Sequence, residues 1–157
     1  MTAAEQEVLG DVAARVSELR ASLETATAMI APVPADIASY AALPRPALVI
    51  IAGYLKTVEQ LEEQVARLFR TILLLNAVDV GGLFARDIAD RMEALGIIDD
   101  AARWTEMVKL RNRLVHDYPL SREARFARLQ EVIAAVSYLD GTAAATLTYL
   151  QKTGLLS

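Results

Sequence analysis

The segment from Lys109 to Pro119 contains residue types that suit acid–base chemistry on a phosphate. It holds the single histidine of the chain, His116, five positions after Arg111. An imidazole is the side chain best able to give and take a proton near neutral pH. A guanidinium is permanently charged and matches the geometry of phosphate oxygens. Together these groups suit cleavage of a phosphodiester without a metal ion, with Arg111 stabilising the charge that develops on phosphorus.

The five-residue spacing places Arg111 and His116 on different faces of one helix. On a regular helix, at about 100° per residue, Arg111 and His116 lie about 140° apart and do not share a face. Asn112 and His116 are four residues apart and do share one. We therefore predict that Arg111, Asn112 and His116 form half of a catalytic site. Either an opening of the helix before Pro119 or a second copy of the chain would complete that site.

Positive charge is concentrated around the histidine although the whole chain is acidic, with a formal net charge of −4. The window from Arg103 to Arg128 carries seven basic and three acidic residues, a net charge of +4. A local cationic patch is typical of an anion-binding surface. We predict RNA contacts for Lys109, Arg113 and Arg122, with Asp117 as a surface ion-pair partner of Arg113.

The composition narrows the classes of site that this chain can hold. Among its 157 residues there is no cysteine, which excludes disulfides, thiolate metal sites and cysteine nucleophiles. One histidine excludes a multi-histidine metal site within a single chain. The acidic pairs Glu62–Glu63 and Asp99–Asp100 lack partners at metal-ligand spacing, so we interpret them as surface residues or helix caps. We predict no metal and no cofactor.

The sequence shows neither a secretory signal nor a membrane span. Residues 1–10 carry two glutamates and no basic residue, whereas a signal peptide begins with positive charge. The longest uncharged apolar stretch, residues 47–55, is far shorter than the roughly 20 residues that cross a bilayer. We expect a cytoplasmic protein without membrane contact.

The rest of the chain predicts the helices that must position the histidine. Apolar residues recur at three- and four-residue spacings, with Trp104 among the predicted core, and Pro, Gly or a capping residue separates the runs. Helices are predicted over 3–30, one or two turns within 35–42, 46–77, 82–95, from Asp99 or Asp100 to near Pro119, from Ser121 to a break or kink at Asp140–Gly141, and over 142–152. The predicted fold is all-α, an up-and-down bundle of four to five main helices forming a single domain over residues 1–157. Because the first two long helices carry more apolar surface than a small monomer buries, we also predict a homodimer.

The segment around the histidine resembles the catalytic motif of the HEPN superfamily and, within it, of the HepT toxins. HEPN ribonucleases carry an arginine, often followed by Asn, Asp or His, and a histidine a few positions on, matched here by Arg111, Asn112 and His116. HepT toxins add a tyrosine, matched by Tyr118. Residues 83–98, which end in Gly-Ile-Ile, are similar to the family's preceding helix. The resemblance covers about residues 46–140, and the proline directly after the tyrosine departs from it.

This resemblance implies a HEPN-like fold and a toxin of a two-gene toxin–antitoxin system. Such a toxin is a homodimeric, metal-independent endoribonuclease whose cleft is lined by Arg111 and His116 of both subunits. Its partners are an RNA substrate and an MNT-type nucleotidyltransferase antitoxin, which transfers AMP from ATP to the motif tyrosine, here Tyr118. The added phosphodiester would occupy the phosphate site and repel incoming RNA.

Two other interpretations stay open. The chain could be a non-catalytic HEPN protein that binds nucleotide or presents substrate to a partner nucleotidyltransferase. It could also be a plain helical interaction module, in which His116 only caps the C-terminal end of its helix, where the helix dipole favours a cation. In that case Arg111 forms a surface ion pair and Tyr118 packs against its neighbours. The four motif residues in register favour the ribonuclease.

Overall fold

The computed structural model describes residues 1–117 and 119–156, and these residues form an all-α bundle without strands. The helices are α1 (Ala3–Ile30), α2 (Ile37–Ala41), α3 (Arg45–Leu75), α4 (Ala85–Ala94), α5 (Ala101–His116) and α6 (Arg122–Lys152). Five of them are main helices and α2 is a single short turn, so the predicted all-α bundle is confirmed. None of the described helices combines the length and apolar character needed to cross a lipid bilayer.

The third helix, α3, is the centre of the bundle. It packs against α1, α4, α5 and α6, and most extensively against α1. The C-terminal half of α1 lies beside the N-terminal third of α3, so the two helices run antiparallel. Because α3 has neighbours on several sides, buried apolar positions recur along it from Ile51 to Leu73, whereas Leu48, Val49 and Leu74 near its ends are exposed.

Local capping signals set several helix ends, as the sequence predicts. The Asp100 carboxylate accepts a hydrogen bond from the Arg103 backbone N–H at 3.1 Å, and the Ser121 hydroxyl accepts one from the Ala124 N–H at 3.1 Å. Gly96, just beyond α4, has a φ of 71°, a left-handed conformation that favours glycine and ends the helix.

Two predicted boundaries differ from the structure. The helix expected from residue 82 begins at Ala85, because the Asp87 carboxylate accepts a hydrogen bond from the Phe84 N–H at 2.8 Å and fixes the first turn there. A break or kink is predicted at Asp140–Gly141, and the break is wrong, since α6 runs through both residues. Glycine within a helix costs about 1 kcal/mol relative to alanine. A bidentate contact from Arg20 to Asp140, at 2.8 and 3.2 Å, and the buried residues that follow outweigh that cost.

Candidate functional site

A cleft with a volume of about 440 Å³ lies between α3, α4 and α5. Two of the three predicted catalytic residues, Arg111 and Asn112, line it from α5. Its other lining residues come from α3 (Glu62, Glu63, Gln64, Ala66, Arg67, Phe69, Arg70), from α4 (Ala85, Ile88) and from α5 (Trp104, Val108). The cleft therefore combines a charged wall with an apolar floor.

The floor of this cleft fixes the motif helix α5 to the central helix α3. The rings of Phe69 and Trp104 are both buried, and their centroids are 4.8 Å apart. Met107 and Leu110 continue the buried face of α5 towards the predicted site. Packing of this kind holds the backbone that carries Arg111 in one position.

The Arg111 guanidinium is surrounded by acceptors but incompletely hydrogen-bonded. Its Nη1 donates to Asn112 Oδ1 at 3.3 Å, its Nη2 lies 3.6 Å from Glu63 Oε2, and its Nε lies 3.4 Å from Glu62 Oε2. The Nε–H is buried and has no hydrogen-bond partner among the described residues. Buried donors of this kind are usually satisfied. The contact with Glu62 is thus an attraction between charges without a well-aligned hydrogen bond.

Sequence reasoning missed the acidic partner of this arginine. Glu62 is only 3 % exposed, so its interpretation as a surface residue or a cap is wrong. Burial raises the pKa of Glu62 to about 7, and neighbouring Glu63 raises it too, against the lowering effect of Arg111. The signal was its position four residues after Val58 and three before Val65, inside the apolar stripe. A carboxyl group with such a shifted pKa beside a cation, in a cleft, is typical of functional sites.

The predicted histidine lies elsewhere on α5. His116 is the last residue of the helix and is exposed, without a hydrogen-bond or ion-pair partner in the described part of the chain. Because α5 stays helical through His116, no opening of the helix brings it to the face of Arg111. That predicted route to a complete site is wrong. The predicted modification site, Tyr118, lies outside the described residues.

Arginines from α6 hold the backbone that follows the histidine. Arg128 Nη1 donates to the carbonyl oxygens of Arg113 and Asp117, at 3.2 Å each. Arg125 donates to the carbonyl oxygens of residues 119 and 120, at 3.0 Å each. The Arg113 carbonyl also accepts a hydrogen bond from the Asp117 N–H, and the other three carbonyls follow the end of α5, where the helix offers no further donors. Arg125 and Arg128, both within the basic window, therefore stabilise the turn between α5 and α6.

The predicted RNA-binding residues differ in how far acidic side chains neutralise them. Lys109 donates to a glutamate three residues earlier at 2.8 Å. Arg113 forms an ion pair with Glu131 of α6, so its predicted pairing with Asp117 is wrong. Arg122, in the first turn of α6, is exposed and has no ion-pair partner within residues 1–117 and 119–156. Much of the positive charge predicted for this surface is therefore offset locally.

Over the described ranges, no cluster of three or more histidine, aspartate or glutamate side chains could hold a metal ion. Comparison with family models, with curated proteins and with solved structures gave no match to this chain. The resemblance to HEPN proteins accordingly depends on the four motif residues and on the helix that precedes them.

Proposed function

We propose that this protein is a metal-independent endoribonuclease, the toxin of a toxin–antitoxin system, and that it acts as a homodimer. The observation that supports this most directly is the distribution of groups on α5. Arg111 lines a cleft and its side chain is 23 % exposed, and an exposed imidazole stands at the end of the same helix. A cation for phosphate and a group for proton transfer are thus both accessible to an extended RNA strand.

The proposed reaction is attack of a ribose 2′-oxygen on the adjacent phosphorus. One His116 accepts the 2′-hydroxyl proton as the bond from that oxygen to phosphorus forms. The bond from phosphorus to the 5′-oxygen breaks, and the His116 of the second subunit protonates that leaving oxygen. The products are a 2′,3′-cyclic phosphate and a 5′-hydroxyl. Arg111 stabilises the additional negative charge on the phosphoryl oxygens, and Asn112 holds its guanidinium.

The proposed antitoxin is an MNT-type nucleotidyltransferase that transfers AMP to Tyr118. This part of the proposal is carried by the resemblance, in which the tyrosine follows the histidine by two positions. Intact-mass spectrometry after co-expression with such an enzyme tests it. Mass increments of AMP are expected on the wild-type chain and not on Tyr118→Phe.

Cleavage of RNA by the purified protein in the presence of a chelator tests the enzymatic activity. His116→Ala should lower the rate by at least about 100-fold, since general acid–base catalysis contributes about 10²–10⁴-fold. Lys56→Ala, on an exposed part of α3, is the matched control and should cleave as the wild type does. Equal cleavage by wild type and His116→Ala would contradict the proposal. Nucleotide binding without cleavage would favour the non-catalytic HEPN alternative.

A further inference from the structure

Glu62 is the only charged residue that is buried in the described part of the chain. Isolated buried charges are costly, and proteins normally pair them fully or leave them uncharged. Glu62 is only partly paired, because its 3.4 Å contact with Arg111 Nε lacks hydrogen-bond geometry. A buried carboxyl group thus contacts Arg111, the residue that binds the phosphate in the proposed function.

The charged surroundings of Glu62 come from two helices. Arg111 from α5 favours its ionised form, whereas Glu63 on α3 disfavours it. Arg67 and Arg70, further along α3, line the same cleft, and α4 contributes apolar side chains to its wall. Glu62 and Glu63 together can offset the charge of Arg111. Glu62 is buried, so water does not screen its attraction to Arg111, whereas the Glu63 side chain is half-exposed and its attraction is screened.

We propose that Glu62 is a positioning residue for Arg111, and that protonation of its carboxyl group controls whether the guanidinium is free to bind a phosphate. The ionised carboxylate holds the guanidinium against α3 and offsets its charge. The protonated carboxyl leaves Arg111 in the cleft with its full positive charge. This inference depends on the proposed function only in taking the phosphate to be a diester of RNA.

Binding of an anion must then be coupled to protonation. A phosphate beside Arg111 adds negative charge near Glu62 and raises its proton affinity further, so the anion binds together with a proton. Since the carboxyl group titrates near neutrality, the coupling lies in the range of ordinary cellular pH. Water screens the half-exposed Glu63 side chain, so replacing Glu63 should leave the coupling in place.

Nuclear magnetic resonance of the intact chain tests the coupling without any cleavage. The probe is the Arg111 Nε–Hε signal, assigned with Arg111→Lys, in a His116→Gln background so that the imidazole does not contribute. We expect this signal and the Glu62 side-chain carbonyl signal to titrate with one midpoint, at about pH 7. The arginine signal should stop titrating in Glu62→Gln and continue in the matched control Glu63→Gln. An arginine signal that does not titrate, or that titrates unchanged in Glu62→Gln, would overturn the proposal.

Sulfate binding, followed by the same signal, tests the consequence for anions. Sulfate keeps its charge across the range, so any pH dependence belongs to the protein. Sulfate should bind about tenfold more weakly at about pH 8.5 than at about pH 6 in the background protein, because one nearby charge has been added. Glu62→Gln should bind at both pH values as tightly as the background protein does at low pH, and Glu63→Gln should keep the pH dependence. Absence of sulfate binding at both pH values, or a pH dependence retained in Glu62→Gln, would overturn the inference.

These outcomes are separable from those of the ribonuclease test. The carboxyl titration is measured on a chain that retains Glu62, so it does not depend on the folding of a variant at that position. If the coupling is observed but RNA is not cleaved, the ribonuclease proposal fails and the proposal for Glu62 and Arg111 stands. If RNA is cleaved but the coupling is absent, the proposal for Glu62 fails and the ribonuclease proposal stands.

Discussion

The cleft between α3, α4 and α5 and the corner between α5 and α6, defined here as residues 116–117 and 119–121, hold their charges in different ways. In the cleft, Glu62 is buried and Arg111 is 23 % exposed, above the packed rings of Phe69 and Trp104. At the corner, His116 is exposed and the α6 arginines bind backbone carbonyls rather than the imidazole. Packing therefore holds the charged groups of the cleft, whereas the imidazole lies exposed at the surface.

This difference bears on how a catalytic site could be assembled. The arginine half is formed within one chain and is held by acidic neighbours. The histidine half has no partner among the described residues, so RNA or a second copy of the chain has to supply its surroundings. Changes in the cleft should alter stability and its pH dependence. Changes to the histidine should alter chemistry alone.

The largest expected contrast is between Trp104→Ala and His116→Ala. Removing the buried indole under the cleft should lower the free energy of unfolding by about 3–5 kcal/mol, as truncation of large buried side chains does. His116→Ala should change it by less than about 0.5 kcal/mol, because the residue is exposed and unpartnered. Urea unfolding of both variants measures the difference. A comparable loss in His116→Ala would show that the corner is part of the folded core.

The next contrast concerns pH and distinguishes two adjacent glutamates. The pKa of Glu62 is about 7 in the folded chain, against an ordinary value of 4.5, so between these values the folded state holds a proton that the unfolded state has lost. Stability should therefore fall as pH rises through this window, by about 3 kcal/mol in total. Glu62→Gln should remove most of that fall.

The control for this measurement is Glu63→Gln, whose side chain is half-exposed. It should keep most of the fall in stability seen for the wild type, shifted to somewhat lower pH, because the charge of Glu63 helps to raise the pKa of Glu62. Urea unfolding at several pH values from about 4.5 to about 8 gives the three curves. Parallel curves for wild type and Glu62→Gln would mean that the cleft does not couple charge to folding.

A smaller effect is expected where α6 supports the corner. Arg128 is 13 % exposed and donates to two backbone carbonyls, so Arg128→Ala should cost about 2 kcal/mol, in line with hydrogen bonds from a charged donor. Hydrogen exchange should accelerate in the last turn of α5, at the Asp117 amide that bonds to the Arg113 carbonyl. Unchanged exchange there would show that the turn is held by other contacts.

The contrast between local and tertiary signals explains what the sequence could predict. The caps at Asp100 and Ser121 and the glycine after α4 act within a few residues, and they were located correctly. The pairing of Arg113 with Glu131 depends on how α6 lies against α5, which spacing along one helix does not contain. The same is true of the uninterrupted α6, where the buried residues after Gly141 and the contact of Asp140 with α1 together outweigh the local effect of glycine.

The candidate site was predicted in part for the same reason. The types and spacing of Arg111, Asn112 and His116 form a pattern on one helix, and two of the three, Arg111 and Asn112, line the cleft. The catalytic role of all three stays a prediction. Glu62 was missed because its role depends on the arginine opposite it on α5, 49 positions later in the sequence. A charge inside an apolar stripe is nevertheless visible in the sequence, and here it marked the buried partner.

The smallest expected effect concerns the path of RNA between the two regions. Arg122 at the corner has no ion-pair partner among the described residues, whereas Lys109 on α5 is already paired. In an inactive His116→Ala background, Arg122→Ala should lower the salt dependence of single-stranded RNA affinity by about 0.7 in logarithmic slope, the contribution of one phosphate contact. Lys109→Ala should change it less. A larger effect of Lys109→Ala than of Arg122→Ala would place the RNA along the α4–α5 side and away from the corner. Such a path would separate the predicted histidine from its substrate.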